Sequence, residues 1–246
     1  QQWVNTLETH AADLLPLRRA TLAAEVGGAV ESMRVELGQA VAKGQILATI
    51  DERSAAQQVA EAEAWLRQAE VQHQRATNLF DRKAVTKAHL LDAGTNLDVA
   101  QARLATARLQ LEKSQVRAPW PGRIAARHVE AGGFVAPGSP LFDLVDASRL
   151  KVRAMARAAD VPYLEAGREV TVTLDAFPGE VFHARVERLG AELDPASRTL
   201  AVEAEIANRD GRLKPGLLAR LDLSRREISD ALVVPMSALV DLGTSK

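Results

Sequence analysis

Hydrophobic and polar positions along this chain follow two different periods, and the change between them divides it. Between residues 54 and 114, apolar or small side chains recur in alternating steps of four and three. They fall at Ala55, Val59, Ala62, Leu66, Ala69, His73, Ala76 and Phe80, then at Leu90, Ala93, Leu97, Ala100, Leu104, Ala107, Leu111 and Ser114. The other positions are rich in Gln, Glu, Arg, Lys and Asp. This spacing holds one stripe on one helical face and predicts the seam of a coiled coil. Its two arms, 54–80 and 87–114, are joined by residues 81–86 alone, so they are expected to run antiparallel. Ser54 with Gln57 reads as a capping box, Thr86 as the cap of the second arm, and Pro119 lies where a helix cannot continue. At about 1.5 Å per residue each arm spans about 40 Å. Gly94 conflicts with the helix at a cost of about 1 kcal/mol. His73 reads as a tolerated semi-polar seam residue.

From Leu150 onward the period is two. Leu150, Val152 and Ala154; Val170, Val172 and Leu174; Phe182, Ala184 and Val186; Val202, Ala204 and Ile206; and Ala219, Leu221 and Leu223 alternate with polar neighbours. These predict half-buried antiparallel strands of a small barrel or sandwich. Pro178-Gly179 marks a turn between two of them, and Asp160–Glu165 suits a short helical turn. Leu232 to Val240 begins another β-unit that reads as incomplete.

Either side of the helical stretch, one pattern occurs twice. Gly28, Val30, Val35, Gly38, Val41, Gly44, Leu47 and Ile50 return as Gly122, Ile124, Val129, Gly132, Val135, Gly138, Leu141 and Leu144, each shifted by the same amount (122 − 28 = 94). Short apolar runs punctuated by glycine read as strands joined by tight turns, with Gly28, Gly38, Gly44, Gly122, Gly132 and Gly138 as the turn residues. One half has too little apolar surface to stand alone, and two halves can bury their faces against each other. The competing reading is two unrelated β-segments with recurrent turns.

Composition narrows the function. The 246 residues predict two to four modules, and a net charge of −1 gives no basic excess for nucleic acid. There are no cysteines, which removes disulfides, thiolate metal sites and cysteine nucleophiles. No apolar run reaches the length of a membrane span, and the start at Gln1 is compatible with a mature or trimmed chain. No phosphate-binding loop is present. His10, His73, His89, His128 and His183 show no ligand spacing, and Met33, Met155 and Met236 are dispersed. No catalytic site, metal site or cofactor is expected. A biotinyl or lipoyl carrier needs a lysine on an exposed turn; here that turn reads Ile50-Asp-Glu-Arg53, without one.

The chain resembles the membrane fusion, or periplasmic adaptor, family of tripartite efflux systems, of the resistance-nodulation-division type. Val26-Gly-Gly-Ala-Val30 through Val41-Ala-Lys-Gly-Gln-Ile-Leu-Ala-Thr-Ile-Asp51 resembles that family's first lipoyl-like half. Val116-Arg-Ala-Pro119-Trp-Pro-Gly122 through Val145-Asp146 resembles the second. Asp194-Pro-Ala-Ser-Arg198-Thr199, and Asn208-Arg-Asp-Gly211 with Pro215-Gly216, look like its barrel signatures. Leu232-Val-Val-Pro235 looks like its approach to the membrane-proximal domain.

The resemblance implies a mostly β, multidomain α+β chain. A split biotinyl/lipoyl-like β-sandwich (21–52 and 116–147) would carry an inserted antiparallel coiled-coil hairpin (53–115). An antiparallel β-barrel (8–20 and 148–226) and a partial membrane-proximal β-domain (1–7 and 227–246) would complete it. It implies a periplasmic, non-enzymatic protein, associated with the inner membrane through its partner or an anchor. Copies would assemble as a hexamer, a trimer of dimers, bridging an inner-membrane transporter and an outer-membrane channel. The hairpin tip would meet the channel through Arg75, Leu79, Arg82, Lys83, Val85, Thr86 and Leu90. Ala76 and Thr86 depart from the Leu and Ser usual there. The alternative role for Leu79 is packing of the tip alone, and for Thr86 a helix cap alone. Two rival functions remain: an adaptor of an ATP-driven exporter or type I secretion system, and a carrier domain of an enzyme.

Overall fold

The structure is a computed structural model describing residues 4–228, in two compact units. One is residues 18–146; the other joins residues up to 17 with those from 147. Strands β1 (Val4–Ala23) and β8 (Pro140–Arg157) supply residues to both.

In the first unit, β2 (Gly28–Met33), β3 (Ala40–Val41) and β4 (Ile46–Ile50) form one half. β5 (Gln115–Arg117), β6 (Gly122–Arg127), β7 (Phe134–Val135) and the start of β8 form the other. The halves bind each other reciprocally. The Gly38 N–H donates to the Ile124 carbonyl and the Gly132 N–H to the Val30 carbonyl, both at 2.8 Å. The Gly44 N–H donates to Ala118 (2.7 Å) and the Gly138 N–H to Ala24 (2.8 Å). Each pair is related by the shift of 94, so the sequence repeat is a structural one. Val30, Leu47 and Ile50 share one core with their counterparts Ile124, Leu141 and Leu144.

Gly38, Gly44, Gly132 and Gly138 occupy turns with φ between 78° and 87°, a region that side chains resist. Gly28 and Gly122 correct the expectation of turns, because each opens a strand. Their lack of a side chain answers to crowding: a Cβ on Gly122 would lie 2.5 Å from the Val145 carbonyl oxygen, and one on Gly28 2.9 Å from the Asp51 Cβ.

Two helices leave this unit between β4 and β5. They are α1 (Glu52–Asp81) and α2 (Lys87–Ser114). Arg108 pairs with Glu63 at 3.0 Å, and the His73 imidazole lies 3.9 Å from where a Cβ on Gly94 would sit, so the helices run side by side in opposite directions. Ala55, Ala62, Ala69 and Ala76 of α1 and Ala93, Ala100, Leu104 and Ala107 of α2 are the buried positions between them. Val59, Leu66 and Leu97 are half-buried at the flanks, and Phe80 is exposed. The expected Ser54 cap is corrected. α1 starts at Glu52, and Asp51 before it takes a left-handed conformation (φ 46°) with no side-chain cap. The buried Ile50 ends β4 so abruptly that the chain must turn within one residue. Thr86 does cap α2, accepting from the His89 N–H at 3.2 Å.

The second unit contains β9 (Glu169–Leu174), β10 (Val181–Leu189), β11 (Thr199–Ala207) and β12 (Leu218–Ile228). Strand order is β1-β12-β9-β10-β11-β8, and β1 also bonds to β8, which closes the series. Inward residues are those of period two, including Val152, Val172, Val186, Val202 and Leu221. A 3-10 turn spans Ala158–Tyr163, with Pro162 inside it near its end. Gly179 (φ 84°) turns β9 into β10. The Asn208 amide donates to the Ala147 and Leu213 carbonyls and accepts from the Leu213 N–H, pinning the loop before β12. His10 and Asp160 meet in the interior, Nε2 to Oδ2 at 3.3 Å. The β-unit from Leu232 lies outside the described residues, as does most of the expected membrane-proximal portion. At the edges of that portion, Val4 and Ile228 pair as the ends of β1 and β12.

Candidate partner-binding surfaces

The turn between α1 and α2 is built by backbone geometry. The Ala84 N–H donates to the Leu79 carbonyl and the Lys83 N–H to the Phe80 carbonyl, both at 2.8 Å, and Lys83 takes φ 57°. This pair of bonds closes a helix C-terminus, with the left-handed position usually given to glycine. A lysine there keeps a cationic side chain at the turn at a conformational cost of roughly 1–2 kcal/mol.

The expected tip residues fall into two groups. Arg75, Leu79 and Arg82 line one shallow depression on α1 with Glu70, Val71, Gln74 and Asn78. Arg75, Arg82 and Lys83 are exposed and Leu79 is half-buried. Val85 and Leu90 are half-buried at the turn and the start of α2, and Thr86 is committed to its cap.

Sequence reasoning missed the outer faces of the two helices. Trp65, Val71, Leu91, Val99 and Leu109 lie off the seam, between 45% (Val99) and 60% (Leu91) exposed. Trp65 and Val99 line an apolar groove across α1 and α2, bordered by Glu61, Arg103 and Gln110. The signal was available: these are large apolar residues at positions the heptad assigns to solvent.

The glycine turns serve the fold, and so do the barrel signatures. The Asp194 carboxylate accepts the N–H groups of Ser197 (2.9 Å) and Ala196 (2.8 Å), which hold its protonation equilibrium below the ordinary carboxylate range. Arg198 (φ 54°) donates its N–H to the Asp194 carbonyl, and the Thr199 carbonyl accepts from the Asp194 N–H. Past Pro215, Gly216 (φ 92°) donates to the Leu14 carbonyl at 2.7 Å. Asp143 is likewise held low, chiefly by the Thr21 hydroxyl at 2.7 Å, with His128 and Arg19 beside it. Among the described residues no cluster of His, Cys, Asp or Glu could hold a metal ion, and no helix is long and apolar enough to cross a membrane.

Residues 152–227 match the family described as the CusB-like beta-barrel domain, and residues 18–146 match the CzcB-like barrel-sandwich hybrid domain. The chain belongs to the membrane fusion, or periplasmic adaptor, family of efflux systems. This adaptor is 30% identical over 240 residues to the nodulation protein NolF of Rhizobium meliloti (strain 1021), covering 92% of this chain and 65% of that one. It is 30% identical to the nickel and cobalt resistance protein CnrB of Cupriavidus metallidurans, covering 93% of this chain and 60% of CnrB. It therefore spans rather less than two thirds of these curated relatives. A crystal structure of a MacA–MexA chimera, containing the α-hairpin domain of Pseudomonas aeruginosa MexA, superposes with a TM-score of 0.82 at 21% identity, covering 92% of the adaptor and 81% of the chimera.

Proposed function

We propose that the chain is a structural link without catalytic activity. In this reading it sits in the periplasm against the inner membrane and bridges an inner-membrane transporter of the resistance-nodulation-division type to an outer-membrane channel. Its cargo is small toxic compounds, a class in keeping with the metal resistance in the name of CnrB. The helix pair is the coiled-coil hairpin of such an adaptor, inserted at 53–115 into a lipoyl-like domain formed by 21–52 and 116–147. A barrel (8–20 and 148–226) and a membrane-proximal part (1–7 and 227–246) flank it on both sides in sequence. Copies stand side by side as a hexamer, and the hairpin tip meets the channel.

One observation carries this reading. α1 and α2 satisfy each other along a seam of small residues, yet leave Trp65, Val71, Leu91, Val99 and Leu109 facing outward. A helix pair with its own seam closed needs no further apolar residues, so their presence supports contact with other chains. The short arms favour the proton-driven class of transporter over ATP-driven exporters, whose adaptor hairpins are often longer.

The test is at the tip. Arg75→Asp and Leu79→Ser are expected to reduce export to the level of a strain lacking the adaptor. Helical circular dichroism and co-purification with the transporter should stay unchanged. Normal resistance in both variants would refute the tip contact, and co-purification with an ATP-driven partner would refute the transporter class.

A further inference from the structure

Asp51, before α1, offers no side-chain bond to the helix's first turn. The first turn is instead bound to the far end of α2. The Gln115 side-chain amide donates to the Glu52 carboxylate, across 63 positions of sequence. The Gln115 amide oxygen accepts from Arg117 Nη2 at 2.6 Å, and Arg117 Nη1 donates to the Gly44 carbonyl at 2.8 Å. Glu52 is the first residue of α1, Gln115 the first residue after α2, and Gly44 sits in a β-turn of the glycine-punctuated core. A second tie joins Arg53 of α1 to Glu31 of β2 at 3.1 Å.

We infer that Gln115 is a positioning residue: its side chain clamps the roots of both helices to the β-core and so sets the direction in which the helical arm points. The mechanics favour a clamp at this place. The chain enters α1 through a single left-handed residue. Beside that residue, Asp51, Ser54, Gln58, Gln110 and Ser114 line a small cavity of about 120 Å³. A root with one bent residue and adjacent free volume swings unless side chains hold it. The 30 residues of α1 make a lever of about 45 Å, so a swing of about 5° at the root moves the tip by about 4 Å. That displacement is as large as a van der Waals contact. The backbone of Gln115 is independently fixed by its pairing with Thr49, so removing the side chain leaves the strand intact.

That arm direction matters for export rests on the adaptor reading; that Gln115 sets it does not. The experiment therefore uses the isolated chain. The absence of native cysteines allows spin labels at introduced cysteines, replacing the exposed Lys43 in the core and Lys87 at the start of α2. Pulsed electron paramagnetic resonance should give one narrow distance distribution. Gln115→Ala, or Glu52→Ala as the second variant, is expected to broaden it measurably, by the part of the tip swing that lies along the line joining the two labels. The double variant should be no broader than Gln115→Ala alone, because Glu52→Ala removes a bond that Gln115→Ala has already removed. Glu52→Gln, which keeps an acceptor, should restore a narrow distribution. A second label pair within the arm, at Gln57 and Lys87, should stay narrow in every variant. Unchanged Lys43–Lys87 distributions in both alanine variants would overturn the inference, as would broadening within the arm itself. Loss of export with a narrow distribution would also count against it, while broadening without loss of export would refute only the claim that arm direction matters for export.

Discussion

Asp143 shows how a single side chain links pH to this fold. Its carboxylate accepts from the Thr21 hydroxyl at the end of β1 and faces His128 and Arg19. These contacts hold it below the ordinary carboxylate range, the hydroxyl foremost. A carboxyl bound more tightly as its anion contributes stability above the unfolded value, near 4, and loses it as pH falls through the lower folded value. The melting temperature of Asp143→Asn should therefore lie below that of the parent at pH 7, and the gap should narrow as pH falls below the ordinary carboxylate range. A gap independent of pH would show that the charge is not involved. Residue-scale chemistry of this kind is hardly legible in the sequence. The spacing of the glycines discloses their repeat, but not that Gly28 and Gly122 relieve crowding where the other four supply turns. The meeting of His10 with Asp160 is likewise invisible in sequence, because 150 positions separate them (160 − 10).

Among the elements, the helices are the most legible. Their burial follows the alternating steps of four and three, with the alanines and Leu104 innermost and the other large seam residues at the flanks. That ordering distinguishes two leucines that the pattern treats alike. Leu104 is 7% exposed and packs with Ala62 and Ala107, whereas Leu97 is only half-buried. Leu104→Ala should cost about 2–5 kcal/mol in urea denaturation and Leu97→Ala roughly half as much. Equal costs would mean that the flanks are as tightly packed as the centre. The start of α1 is misleading in sequence because Ser54 and Gln57 mimic a cap, while the real constraint is the buried end of β4. β1 does not read as a continuous strand either. His10, Ala12 and Leu14 keep the alternation, but Pro16, Arg18 and Arg19 interrupt it before it resumes at Leu22.

For the whole molecule, the repeat carries the most information, since one constant shift in the sequence relates two distant stretches of chain. It identifies which strands answer one another, and the reciprocal hydrogen bonds follow the same shift. It also bears on the carrier reading. The stretch Ile50-Asp-Glu-Arg53, where a carrier turn would present lysine, holds none and leads into α1 at Glu52. Expression with biotin or lipoate and the corresponding ligases should leave the intact mass unchanged. An adduct would revive that reading.

The reciprocal halves also impose a timetable on biosynthesis. A chain that emerges N-terminus first delivers the first half 94 residues (122 − 28) ahead of the segment that completes it. Helical contacts are local and close within microseconds, whereas this sheet must wait for chain still to emerge. The arm is therefore made before the domain that carries it. Until its sister emerges, the nascent first half has Val30, Leu47 and Ile50 without their final cover, and that interval is when a chaperone has most to do.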